Sequence, residues 1–417
     1  MKRKISLLLI MMLILSTLTN VSATEETVVN EEAIELLEET ETEIETEVET
    51  EIEPLKLSID EAVKLAIEND REMWKLNDKI KQLQDARRRG SSAKELYELL
   101  NEMPLGTSDI SGSEYVEFIL AKNNFYSKTD ELRTKEINKG KEQLLIGIEI
   151  GTKSLYYNVL VAEKTIEINR AKLNKANEQL RVVNLKFNNG SATKAEVLSA
   201  EMAIQQAKTD LDSALDDLNI ARLNLLNNLE LPFDTEFVLT DTELSYVPTI
   251  ELDLNDKIEK AKQERLEILT AENDLELQKI QTHATTAYYT SNLRQHKAAK
   301  EELKDAELNV PQAYKDVELD VRKTYLNLIK AERALVNMDK TLELAKEAAR
   351  INKLLYDNGM ATSLEVLDAD TKLAETEIGR YKLLVAYNMS KFAFDNSNLL
   401  GSMKSENSGD GQMQSRP

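Results

Sequence analysis

The stretch Thr362-Ser-Leu-Glu365-Val-Leu-Asp368 sets two carboxylates at i and i+3, a spacing that puts both on one face of a helix. The chemistry such a pair offers is electrostatic: it draws cations and repels anions. Thr362 ahead of Glu365 also fits a capping box, in which the acid helps start the helix. A parallel segment has Thr193 and Glu196, but Ser199 where the later one has Asp368. No other grouping offers the constellations that catalysis uses. Cysteine is absent, which excludes disulfides and thiolate metal sites. His283 and His296 stand without ligand spacing or a carboxylate partner and read as surface residues. With no Gly-rich phosphate loop, nucleophile elbow or metal cluster, the expectation is a protein that is not an enzyme and holds no cofactor.

The two acidic segments belong to one phrase written twice. Residues 187–200 read FNNGSATKAEVLSA and residues 356–369 read YDNGMATSLEVLDA, identical at eight of fourteen positions, at an offset of 169 (356 − 187). Asn189-Gly190 and Asn358-Gly359 are helix-ending pairs, since Gly adopts the left-handed conformation and Asn tolerates it. Thr193 and Thr362 then start the returning helix. Each phrase is therefore a tight joint between two helices.

Those helices are long. Leu155, Val159, Ala162, Ile166, Asn169, Leu173, Ala176, Leu180, Val183 and Phe187 keep a 4,3 spacing, and Val197, Ala200, Ile204, Ala207, Leu211, Ala214, Leu218, Ala221 and Leu225 keep a 3,4 spacing. Sustained heptads of this kind make helices supercoil on each other. Tyr156, Asn158, Ala162 and Glu163 recur as Tyr325, Asn327, Ala331 and Glu332, at the same offset as the turn phrase. Upstream, LSIDEAVKLA from Leu57 aligns with LDLNDKIEKA from Leu252, and this offset is larger, at 195 (252 − 57). The first copy therefore holds extra chain, equal in length to the difference between the two offsets (195 − 169). The loop at 101–114 is the expected site of that insertion. A helix is expected from Leu57 to about Leu100 and another from Glu114 to Phe187, with one short strand near Glu236–Thr240. The fold class is all-α: two repeated long antiparallel helical hairpins of coiled-coil type, at residues 55–230 and 252–401, joined by a linker at 231–251.

The flanks differ in character. MKRK, an apolar run and Val21-Ser22-Ala23 form a secretory signal peptide over residues 1–23, so an exported protein is expected. Residues 24–54 form an acidic spacer with 14 Glu and no Lys or Arg, a composition that resists folding. Residues 402–417 read as a disordered polar tail. The net charge of -22 argues against nucleic acid as a partner, which requires a basic face.

From Leu57 to Gly401 the chain resembles the TolC-like outer-membrane efflux proteins. The marks are LSIDEAVKLAIEND, the two G-x-x-T-x-x-E-V-L-x-A turns, and the helix ends LLNNLELP (225–232) and NSNLLG (396–401). The resemblance implies a homotrimer whose hairpins join into one α-helical barrel. It implies a passive duct that works with an adaptor (membrane fusion) protein and an inner- or plasma-membrane transporter in the cell envelope. The hairpin turns Asn189, Gly190, Thr193, Asn358, Gly359 and Thr362 would dock the adaptor. Glu365, Asp368, Glu196 and Tyr356 would line the pore constriction. Ala361 stands where the family places a gating arginine, so no salt-bridge lock of that kind carries over. Nor do 115–126 or 283–309 read as the paired strands of a membrane barrel, so outer-membrane insertion is not expected. The alternative is an extracytoplasmic coiled-coil scaffold without conduction.

Overall fold

The computed structural model describes residues 54–82, 111–249 and 253–400. The expected leader, the acidic tract up to residue 53, residues 83–100 of the first expected helix, the start of the 101–114 loop and the polar tail lie outside the described residues. In chain order the elements are β1 (Leu55–Leu57), α1 (Ile59–Asn69), α2 (Gly112–Lys122), α3 (Phe125–Asn188), α4 (Lys194–Asn228), β2 (Phe237–Leu239), α5 (Leu254–Glu264), α6 (Leu266–Tyr288), α7 (Arg294–Asp357) and α8 (Ser363–Asp395). Residues 71–82 are also helical.

The duplication is visible helix by helix. Both α3 and α7 have 64 residues. The starts of α3 and α4, at Phe125 and Lys194, map onto those of α7 and α8, at Arg294 and Ser363, with the offset of the turn phrase. α3 pairs with α4, α7 pairs with α8, and α8 lies against α3. Along most of their length the four long helices therefore run in the order α4, α3, α8, α7, and towards the hairpin tips α8 also touches α4. α4 and α7 form the two edges.

Two expected helices are broken, for local reasons. The helix expected from Leu57 to about Leu100 stops at Asp70, which has extended backbone and accepts from the Met73 N–H at 2.8 Å, as an N-cap does. The second copy breaks at the position aligned with Asp70, which is Arg265, again with extended backbone. The helix expected from Glu114 is likewise interrupted: α2 ends at Lys122, and Asn124 turns left-handed at φ 55°. Asn is among the few non-glycine residues that bear this conformation readily. Part of the first copy's extra length is thus α2, packed on α6, and residues 112–114 of the expected loop are its first turn.

The short strand is present as β2, and it pairs in parallel with β1, Leu55 opposite Phe237 and Leu57 opposite Leu239. Tyr156 Oη donates to the Leu57 carbonyl at 2.9 Å and accepts from the Asp241 N–H at 3.1 Å, so α3 holds this ribbon. β1 and β2 are the only strands among the described residues. Both segments weighed as barrel strands carry helices, α2 within 115–126 and the end of α6 and start of α7 within 283–309.

The cores follow the heptads. Tyr156, Val159, Leu160, Leu225 and Leu229 form one cluster with Ala62 and Ala66 of α1. Ile258, Ala261, Leu328, Leu335, Tyr387 and Phe394 form its counterpart. Arg265 is buried with its side chain 1% exposed, ion-paired to Asp320 and donating to the Ser397 carbonyl at 2.9 Å. Removing one partner of a buried pair strands the other charge, so Arg265→Ala is expected to lower the unfolding free energy by about 3 kcal/mol, measurable by denaturant titration.

Candidate functional site at the hairpin tips

Both reversals are built alike. α3 ends at Asn188 with Asn189 as its C-cap, and Gly190 sits at φ +72°. The Gly190 N–H donates to the Phe187 carbonyl and the Ser191 N–H to that of Lys186, the two bonds of a Schellman closure. At the other tip Gly359 sits at φ +74° with the matching bonds from Gly359 and Met360. The returning helices begin on capping boxes. The Thr193 N–H donates to Glu196 Oε2 at 2.6 Å, and the Glu196 N–H to Thr193 Oγ1 at 3.3 Å. The Thr362 N–H donates to Glu365 Oε2 at 2.7 Å, and the Glu365 N–H to Thr362 Oγ1 at 3.3 Å.

These bonds divide the carboxylates by role. The Thr362 backbone N–H, and then its hydroxyl, hold the Glu365 carboxyl below its ordinary pKa, so it stays charged and tied to the cap. Asp368 is exposed one turn further along and makes no hydrogen bond or ion pair among the described residues. The tip thus presents Asp368 as its free negative charge on α8, and Ser199 at the matching place on α4.

Tyr356 and Phe187 occupy equivalent positions yet differ sharply. Tyr356 is 3% exposed and Phe187 40%. Tyr356 lies in a cluster with Val183, Val197, Ala200 and Val366, drawn from all four long helices. Lys186 Nζ sits 3.5 Å from its ring centroid and donates to its carbonyl at 3.3 Å. Burial raises the Tyr356 pKa, with the charges of Glu196 and Asp357 adding to the rise and a hydrogen bond from Gln179 opposing it. Gln179 Nε2 also donates to the buried Ser363 Oγ at 2.9 Å, and Lys175 pairs with Asp370 at 2.9 Å.

Lys175, Gln179 and Lys186 therefore join the two hairpins, and the heptad pattern singles out none of the three. A signal for them exists in the repeat itself: the residues equivalent to them in the second copy are Leu344, Ala348 and Leu355. At each of these positions the first copy is polar and the second is not. Ala361 packs against the Tyr356 cluster.

No known protein-family model and no curated protein sequence matches the chain. Solved structures do match. The outer membrane protein VceC of Vibrio cholerae aligns over 82% of this chain and 96% of its own, at 12% identity and a TM-score of 0.63. CusC, described for its transmembrane channel formation, aligns over 82% and 92% at 14% identity and 0.63. The CmeC outer membrane channel of Campylobacter jejuni aligns over 82% and 85% at 13% identity and 0.53. The chain has the fold of these TolC-like channel proteins.

Thr362→Ala removes a capping oxygen and is expected to cost about 1 kcal/mol, read by thermal unfolding. The linked acid gives a pH signature. Because the folded-state pKa of Glu365 is lowered, its stabilisation is complete above the unfolded carboxyl pKa and is lost as pH falls through the folded one. Glu365→Gln should flatten the acid limb of the stability profile there and leave neutral pH dependence unchanged.

Proposed function

We propose that the chain is a helical duct of the cell envelope, closed by three copies around a central channel and serving as a passive conduit for a membrane pump reached through an adaptor. The observation that carries this reading is the unequal burial of the repeated residues. Leu367 and Leu384 of α8 are 7% and 3% exposed, whereas Leu198 and Leu215, their counterparts on α4, are 49% and 36% exposed. Leu367 shares a buried cluster with Ala176 of α3 and Ile204 of α4, and Leu384 shares one with Ile258 of α5 and Leu335 of α7, whereas Leu198 and Leu215 lie on the α4 edge outside the buried clusters. The other edge carries the complement: Leu319, Leu326, Leu344 and Ile351 stand 43–66% exposed along α7, at spacings that keep them on one helix face.

An edge of one kind and an edge of another make a head-to-tail contact, which closes into a ring when the rotation permits. Within the chain the joint between repeats is α3 on α8. Applying the repeat offset maps it onto α7 of one copy against α4 of the next. Leu367 shares a buried cluster with Ala176, so Leu198 should meet Ala345 of the neighbouring copy. The Lys186–Tyr356 contact becomes Leu355 against Phe187, which accounts for an exposed phenylalanine at that tip.

In such a ring the tips form one end of the channel. The exposed Asp368 of each copy would contribute to a ring of carboxylates that favours cations, with Glu196 and Glu365 held back in their caps. The loops at Asn189, Gly190, Asn358 and Gly359 would present the adaptor-docking rim. The leader-like segment at residues 1–23 and the outer-membrane proteins that share the fold support an extracytoplasmic site.

Multi-angle light scattering with negative-stain imaging should find a hollow cylinder of three copies. A monomer, or a solid rod, would reject the duct in favour of a scaffold. Leu198→Glu with Leu344→Glu should release monomers of unchanged helicity. Asp368→Asn should weaken cation preference in a vesicle-flux assay, and an unchanged preference would exclude the acidic ring.

A further inference from the structure

The opposite end of the long helices carries an aromatic and basic surface that the duct reading leaves without a role. There α2 closes over the end of α6, beside the first turns of α7. A Cβ on Gly112 would stand 2.5 Å from the Tyr288 ring, so only glycine allows this approach without a shift. Tyr115 and Tyr288 have ring centroids 5.4 Å apart, and Tyr288 and Tyr289 5.0 Å. His296 Nδ1 lies 2.8 Å from the Tyr289 carbonyl and helps fix the turn. Tyr288 remains 45% exposed and Leu293 42%.

The charge here runs against the rest of the chain. Residues 277–300 contain no Asp or Glu and four cations, Lys279, Arg294, Lys297 and Lys300, in a protein of net charge -22. Arg294, Lys297 and Lys300 are exposed and make no ion pair among the described residues. The acids on the adjoining turns of α2 and α7 are Glu114, Glu117, Glu301 and Glu302. Glu114 is held in the Ser111 cap at 2.8 Å, and Glu302 accepts from Gln278 at 3.1 Å.

We propose that this apex seats on an anionic membrane surface, with Tyr288 and Leu293 entering the headgroup layer and Arg294, Lys297 and Lys300 meeting lipid phosphates. Amphipathic tyrosines beside unpaired cations are the chemistry of a membrane interface. A soluble polyanion would be met by charge alone and would leave the exposed Tyr288 and Leu293 without a function. The patch lies wholly within one copy, so the inference stands whether or not the ring closes. A ring would repeat it around one rim and add avidity.

The full chain should co-sediment with vesicles of phosphatidylcholine mixed with phosphatidylglycerol, and far less with phosphatidylcholine alone. Arg294→Glu, Lys297→Glu and Lys300→Glu together should weaken that binding at least about tenfold, with helicity by circular dichroism unchanged. The apolar segment near the N-terminus is common to both proteins, so the difference belongs to the apex. As a second readout, Leu293→Trp should be quenched by brominated lipids beyond the signal of Trp74 alone. Equal vesicle binding by the triple variant, no preference for phosphatidylglycerol, or no added quenching would overturn the proposal. Binding to soluble polyphosphate that matches vesicle binding and survives Leu293→Ser would overturn it too, in favour of a polyanion.

Discussion

Heptad helices bury their apolar faces only against other helices, and a four-helix sheet with two edges cannot cover all of its own. Away from the tip, where all four meet, α3 and α8 lie between other long helices, whereas α4 and α7 each pack mainly on one long helix. The same leucine is therefore buried at position 367 and half-exposed at 198. Everything distinctive about the molecule follows from this incomplete burial: the apolar stripe on α7, the exposed Phe187, and the polar character of the joint that the chain makes with itself.

That self-made joint differs in chemistry from the one proposed between copies. Inside the chain it uses Lys175–Asp370, Gln179–Ser363 and Lys186 over Tyr356. The corresponding residues at the α7 edge are Leu344, Ala348 and Leu355. Exposed ion pairs such as Lys175–Asp370 contribute little stability but fix register, while apolar contacts drive association in proportion to area. Duplication followed by such divergence gives one joint built for alignment and one suited to assembly.

Much of this was legible in the sequence because it is local. The capping boxes and the left-handed glycines depend on residues within a few positions of each other, the repeat offset is read by direct alignment, and the heptads predicted the residues that line the α3–α4 seam. The helix breaks at Asp70 and Asn124 were not legible, since neither involves Pro or Gly and both residues also occur within helices. The roles of Gln179 and Lys186 were hidden for a different reason. Both lie on the long helices among many other polar residues, and only the packing of α3 against the second hairpin shows which polar positions face inward. Tyr356 and Phe187 look interchangeable in sequence, and their burial is set by which helix lies alongside.

The central claim is that α7 of one copy covers α4 of the next. The chain has no cysteine, and within one copy α4 meets α7 through Tyr356, eleven residues (356 − 345) beyond Ala345, so a bridge between Leu198→Cys and Ala345→Cys is expected between copies. Under oxidising conditions closed covalent trimers are expected on a non-reducing gel, with neither single variant forming them. Monomers alone, or a bridge formed within one chain, would contradict the claim.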